Sequence, residues 1–207
     1  ILLAKDYTGY QNLCRLVTDA HIDGYYYKPR IDHEHLAKYS EGLVGLSACL
    51  GGEVAKALEV DDWELARKVA GEYGDIFGKD HFFLELQDHG LAEQRRLNEQ
   101  LLRLAPEAGL PLVVTNDLHY VREDQSEAHD VLLCVGTGNN LDTPNRLKFE
   151  THEFYVKSAA QMASLFPDDL DAIRNSRRIA EMTDIELPLG TLRIPHFPVP
   201  DGHTVDS

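Results

Sequence analysis

The sequence predicts an α/β chain built from parallel βα units. Short apolar runs of strand length alternate with longer segments whose apolar residues recur at helical spacing. Gly and Pro punctuate the joins. The strand candidates are almost continuously apolar, which suits a sheet covered on both faces.

The opening Ile1-Leu2-Leu3-Ala4 has no Met and reads as the inside of a strand in a larger protein. Thr8 is placed to cap a helix to about His21, with Tyr10, Leu13, Cys14 and Val17 on one face. Residues 24–32 read as loop. Residues 43–49 read as a buried strand. Helical patterns follow at about 52–59 and 62–77, where Ala66, Val69, Ala70, Tyr73 and Phe77 form the stripe and Gly78 can end it.

Residues 81–86 are the next strand. A helix over 91–108 turns Leu97, Leu101, Leu104, Ala105 and Ala108 inward and stops at Gly109. A strand over 112–116 leads to a helix at about 124–135 that ends at Gly136. Strand and helix thus alternate three times, the signature of a parallel sheet. Residues 136–150 read as loop, and helices are expected near 158–165 and 168–184. Pro188, Pro195, Pro198 and Pro200 then stop regular structure, so residues 1–185 read as a domain and 186–207 as an extended linker.

A chain of 207 residues with 43% hydrophobic content can bury a sizeable core. No apolar run approaches bilayer length, and no membrane association is expected. The three cysteines Cys14, Cys49 and Cys134 are widely spaced, which implies no disulfide framework and makes a reducing cytoplasm the default. A formal net charge of −15 argues against a free-standing nucleic-acid clamp. It is compatible with a metal site, because a cation supplies local positive charge.

The chemistry centres on Asp117 and His119, which close an apolar run. In an extended strand they share a face, roughly 7 Å apart at Cα. A carboxylate beside an imidazole is half of a divalent-metal site. The plainer alternative is an Asp orienting a structural His. In parallel α/β architectures, sites form at the carboxyl ends of strands. Cys49 and the Gln87-Asp88-His89 segment hold two more such ends.

Cys49 is open to two readings, a buried small hydrophobe or a thiolate ligand. His89 reads as a loop histidine or as a second-layer support for a metal ligand. Cys14 and Cys134 lie in helical apolar patterns and read as core. In Asp32-His33-Glu34-His35, residues two apart on a helix face apart, so Asp32 reads as a helix cap and the histidines as surface. Tyr25, Tyr26, Tyr27, Lys28 and Arg30 mix aromatics with cations, a set able to stack a base and hold a phosphate. Arg174, Arg177 and Arg178 read as a solvated helix face.

Seven segments, in order along the chain, resemble the polymerase-and-histidinol-phosphatase (PHP) domain of the bacterial DNA polymerase III alpha-subunit family. They are Leu2-Leu3-Ala4-Lys5 with Gly9-Tyr10-Gln11-Asn12-Leu13, Tyr26-Tyr27-Lys28-Pro29-Arg30-Ile31-Asp32, and Leu46-Ser47-Ala48-Cys49-Leu50-Gly51-Gly52. Next come Leu84-Glu85-Leu86-Gln87-Asp88-His89-Gly90 and Thr115-Asn116-Asp117-Leu118-His119-Tyr120. Glu153-Phe154-Tyr155-Val156-Lys157-Ser158 and Ile194-Pro195-His196-Phe197-Pro198-Val199-Pro200 complete the set.

The resemblance implies a distorted TIM-like (βα)7 barrel, truncated at its N-terminal side, with a metal cluster at its carboxyl rim. It maps three ligands onto Cys49, Asp117 and His119, which are expected to meet around a shared cation, with zinc or manganese as the divalent ion. Some members proofread as 3′–5′ exonucleases; in others the domain only supports the fold. The family's opening His-x-His ligands lie upstream of Ile1 and the polymerase aspartates beyond Ser207, so this segment by itself is expected to be inactive. DNA and other replisome subunits are the implied partners, with Lys28 and Arg30 as candidate phosphate contacts and His89 as a candidate support. Two rivals stay open. One is a scaffold that braces a polymerase. The other is a phosphoesterase acting on a small substrate, against which the Pro-rich exit segment speaks.

Overall fold

The computed structural model describes residues 1–190, 198–202 and 204. Four strands form one sheet in the order β1-β2-β3-β4: β1 (Leu2–Ala4), β2 (Leu43–Leu46), β3 (Phe82–Leu86) and β4 (Leu112–Val114). β2, β3 and β4 run parallel, with Leu46 opposite Phe83 and Leu86 opposite Val114. β1 pairs antiparallel to β2, which departs from an all-parallel arrangement. The described strands make a mixed α/β sheet, and the motif at 194–200 lies largely outside the described residues.

The described residues form eight α-helices: α1 (Tyr7–Ile22), α2 (His33–Lys38), α3 (Glu53–Glu59), α4 (Trp63–Phe77), α5 (Ala92–Ala108), α6 (Ser126–Thr137), α7 (Ala159–Leu165) and α8 (Leu170–Glu181). All five residues of β3 are buried. Their alternation divides the core. Phe82, Leu84 and Leu86 face the layer of α3, α4 and α5, where Leu58, Ala66, Ala70, Leu101 and Leu104 pack. Phe83 faces the other way and joins Val44, Leu46, Val113 and Ile179 of α8. On that second face, Glu85 follows Phe83 at the period of two.

Several boundaries differ from the sequence expectation, each for a local reason. The cap of α1 is Asp6, whose carboxylate accepts from the Gly9 amide at 2.8 Å; Thr8 lies inside the helix. The helix buries Gly9, Leu13 and Leu16 against the sheet, so Cys14 is exposed rather than core. Cys134 is buried as expected. α6 runs through Gly136 and ends at Gly138, which takes the left-handed conformation (φ 67°) that a helix stop favours. Asp32 caps α2 by accepting from the His35 amide at 2.8 Å, as read from the sequence. His33 is more than surface: its two ring nitrogens reach Glu53 at 3.0 Å and Glu72 at 3.2 Å. Arg174, Arg177 and Arg178 pair with Asp171, Glu181 and Asp80 on an exposed face.

The first helix is seated by a backbone-to-backbone contact that only glycine permits. Gly42 has φ 74°, and its carbonyl accepts from the Lys5 amide at 2.9 Å. A Cβ on Gly9 would lie 1.9 Å from that carbonyl oxygen. No rotamer change can relieve such a clash, since the backbone alone fixes the Cβ position and the oxygen is main chain. Gly9→Ala is therefore expected to destabilise the fold by on the order of 1–3 kcal/mol, the usual range for overpacking. Urea unfolding checks this; an unchanged midpoint would mean that α1 does not need this approach.

Candidate metal centre

β2, β3 and β4 are adjacent and parallel, so their carboxyl ends share one edge of the sheet. Cys49 follows β2, His89 follows β3, and Asp117 and His119 follow β4. The sheet thus brings all three predicted strand ends to one side.

A buried polar network precedes those ends. Glu85 is 2% exposed and Gln87 4%. The Glu85 amide donates to Ser47 Oγ at 2.9 Å, which ties β3 to the end of β2. Gln87 Nε2 donates to Glu85 Oε1 at 3.0 Å and to Thr115 Oγ at 3.1 Å, which ties β3 to the end of β4. Thr115 Oγ also donates to Glu85 Oε1. Asn98 of α5 closes the end of β3 by donating to the Gln87 carbonyl at 2.8 Å. Glu85 Oε2 and Gln87 Oε1 have no partner among the described residues. Sequence reading missed this network, although a Glu inside the apolar run Phe82-Phe83-Leu84-Glu85-Leu86 was a signal for it.

The chain does not continue as a strand to His119. β4 stops at Val114, and Asp117 adopts a left-handed conformation (φ 38°). Strand alternation therefore does not apply, and Asp117 and His119 do not share a face as successive strand residues would. An Asp tolerates this region better than most residues, but surrounding structure must hold it there.

Here the holding contacts come from residues 153–157. The Asn116 carboxamide donates to the Tyr155 carbonyl at 2.6 Å and to that of Glu153 at 3.3 Å. The amides of His119 and Tyr120 both donate to the Phe154 carbonyl, at 2.9 and 3.3 Å. His119 Nδ1 is 2.7 Å from the carbonyl oxygen of Asp117. A carbonyl only accepts, so that nitrogen carries the proton and Nε2 keeps its lone pair. His119 is exposed, and among the described residues this nitrogen has no hydrogen-bond partner.

His89 is fully buried, not an exposed loop residue. Its Nε2 donates to the Asn116 carbonyl at 2.9 Å, and its Nδ1 accepts from Gln94 at 2.7 Å. Its ring stacks on Phe154 at 4.0 Å between centroids. Burial is the largest influence on this imidazole and holds its pKa below the ordinary 6.5. The ring is neutral and supports the backbone immediately before Asp117.

A cleft of about 230 Å³ lies beside His119, lined by Tyr120, His129, Lys148, Phe149, Thr151 and His152. His119, His129 and Phe149 pack edge to face there, at centroid distances from 4.7 to 5.5 Å. Burial first, then the neighbouring His119, lowers the pKa of His129. The Tyr25–Tyr27 loop is a separate feature. Its tyrosines are exposed and Arg30 stacks over Tyr26 at 5.4 Å. Arg30 also lines a groove with Asp19, Asp23 and Asp32, so its local field is mainly acidic.

Thiol, carboxylate and imidazole are chemically suited to a borderline divalent ion. Among the described residues, however, no three His, Cys, Asp or Glu side chains form a group that could hold a metal. Strand spacing supplies a reason. β3 separates β2 from β4, so their ends stand roughly 10 Å apart, whereas metal–ligand bonds are about 2.0–2.3 Å.

The PHP domain family matches residues 1–89. Over 200 residues the chain is 46% identical to DNA polymerase III subunit alpha of Treponema pallidum (strain Nichols), covering 97% of this chain and 17% of that protein. It is 45% identical over 209 residues to the Thermus aquaticus subunit, covering 98% and 17%. It is 42% identical over 210 residues to that of Deinococcus radiodurans, covering 99% and 16%. The chain thus spans about 17% of the length of these curated relatives.

His89 makes stability depend on pH with a definite sign. Well above pH 6.5 the ring is neutral in both states. As pH falls below 6.5 the unfolded chain takes up the proton first, because the folded pKa is lower, and stability declines. His89→Gln should flatten the decline between pH 6.5 and the lowered value. His81 and His129, also lowered by burial, should preserve part of it. Denaturant midpoints measured from pH 8 to 5 check this; parallel curves for the two proteins would refute it.

Proposed function

With residues 1–89 matching the PHP domain and nearly the whole chain homologous to part of DNA polymerase III subunit alpha, we propose that it serves as the metal-binding PHP segment of a bacterial replicative polymerase. In this reading the sheet forms part of a distorted (βα)7 barrel and its carboxyl edge is the working face. Cys49, Asp117 and His119 are ligands to divalent ions, zinc or manganese. The observation that carries the reading is the His119 ring, whose Nδ1 is committed to the Asp117 carbonyl while Nε2 has no hydrogen-bond partner among the described residues.

Because the β2 and β4 ends are held apart by β3, Cys49 serves a different ion of a cluster from Asp117 and His119. When bound, such ions polarise a phosphodiester and lower the pKa of an attacking water, as 3′–5′ exonucleolytic cleavage requires. The chain's own residues bind and orient. His89 and Asn116 hold the Asp117 backbone. Lys148, His129 and His152 line the adjoining cleft together with the carboxylates of Glu127 and Asp130, so a phosphate ester there needs the bound cations to offset the acidic lining. Lys28 and Arg30 add a weaker, salt-sensitive phosphate contact from their exposed loop. DNA and other replisome subunits are the partners in the cytoplasm. No helix among the described residues is long and apolar enough to cross a membrane.

A second reading is a scaffold that braces the polymerase without hydrolysis. The absence of a three-donor group among the described residues favours it. Elemental analysis of the full-length protein separates the two. Asp117→Ala is expected to lower bound metal by about one ion and abolish any 3′-end hydrolysis. Cys49→Ser should weaken zinc more than manganese, because only the thiolate is soft. Unaltered metal content in both variants would overturn the ligand assignment and leave the scaffold.

A further inference from the structure

We propose that Lys157 is the positioning residue of the Asp117–His119 turn, acting through Asn116. This rests on the reading that Asp117 and His119 are ligands, and it gives a role to the Glu153–Ser158 segment. The Lys157 side chain is 3% exposed, very unusual for a lysine, and needs a structural partner set to match. It has one. Its ammonium donates to the Glu153 carbonyl, pairs with the Glu153 carboxylate at 3.0 Å, and reaches Asn116 Oδ1 at 3.4 Å. It also lies over the Tyr155 ring at 4.3 Å.

These contacts fix the Asn116 amide in one orientation. Its NH₂ faces two carbonyls of the 153–155 segment and its oxygen faces the ammonium. Flipping it would set oxygen against carbonyls and NH₂ against a cation. Asn116 thereby binds the segment to the end of β4, and the Phe154 carbonyl receives the amides of His119 and Tyr120. Val156 extends the seam by donating to the Val121 carbonyl at 3.2 Å. The left-handed Asp117 is enclosed between these anchors. A neutral side chain at 157 would leave Asn116 Oδ1 and the Glu153 carbonyl without their cation, and the turn would lose its single conformation. Partners that orient a ligand in this way are worth about 10- to 100-fold in metal affinity.

The test uses the full-length protein with Co²⁺ as probe, read by its absorption spectrum and by competition with a chelator. K157M keeps the buried stem and removes the charge. It is expected to retain the overall fold by circular dichroism, to bind Co²⁺ about 10- to 100-fold more weakly, and to show an altered ligand-field spectrum. N116A should lose a similar factor, and the double variant should lose little more, because both act along one chain of contacts. K157R should recover part of the affinity.

Wild-type Co²⁺ affinity in K157M overturns the proposal, as does simple additivity with N116A. Should K157M fail to fold, hydrogen exchange in K157Q decides: selective loss of protection at the His119 and Tyr120 amides supports the role, and uniform loss across the sheet refutes it. If the unaltered protein binds no Co²⁺, the ligand reading fails by itself. Exchange in K157Q then decides whether Lys157 holds the turn.

Discussion

Three parallel strands buried on both faces constrain everything else in this chain. The lateral bonds of β2, β3 and β4 place residues distant in sequence on one edge: Cys49, His89 and Asp117. The same bonds limit what that edge can do. Neighbouring strands cannot approach more closely than their hydrogen-bond spacing, so donors carried on β2 and β4 stay apart unless loops or a second ion bridge them. Convergence on one side and separation along it have the same physical origin.

The polar residues of the edge are organised by burial. Glu85, Gln87 and Thr115 share hydrogen bonds at the level where the sheet gives way to loops. A buried carboxylate oxygen without a partner is costly, commonly about 1–3 kcal/mol per unsatisfied group. Its presence at a strand end, rather than in a loop open to water, marks the region as one where stability is not the only requirement. His89 and Asn116 extend this polar layer to Asp117, and Lys157 closes it from the far side.

Net charge acts on a different scale. With −15 overall, the chain attracts cations and repels polyanions at long range. Any nucleic-acid contact must rely on local positive charge, and much of that charge is already committed. Arg146 is buried against Asp130, Arg96 pairs with Asp61, and the arginines of α8 pair with neighbouring carboxylates. A metal cluster would supply positive charge at the edge where side chains do not.

Local sequence determined the elements. Periodicity placed the helices at 53–59, 63–77 and 92–108 within a residue or two, and apolar runs placed the three parallel strands, because both signals are one-dimensional records of which face is buried. Residue type singled out Cys49, Asp117 and His119 as candidate donors. Tertiary structure decided what the pattern could not encode. Asp6 rather than Thr8 caps the first helix, Gly9 packs against Gly42, and Cys14 faces outward. Beyond β4 the chain turns at Asp117, and contacts with residues 153–155, far along the chain, hold that turn. The burial of His89 and Lys157 likewise follows from contacts across 27 and 41 residues of sequence. Hydrogen bonds between segments so far apart leave no periodic trace, and they set the geometry of this edge.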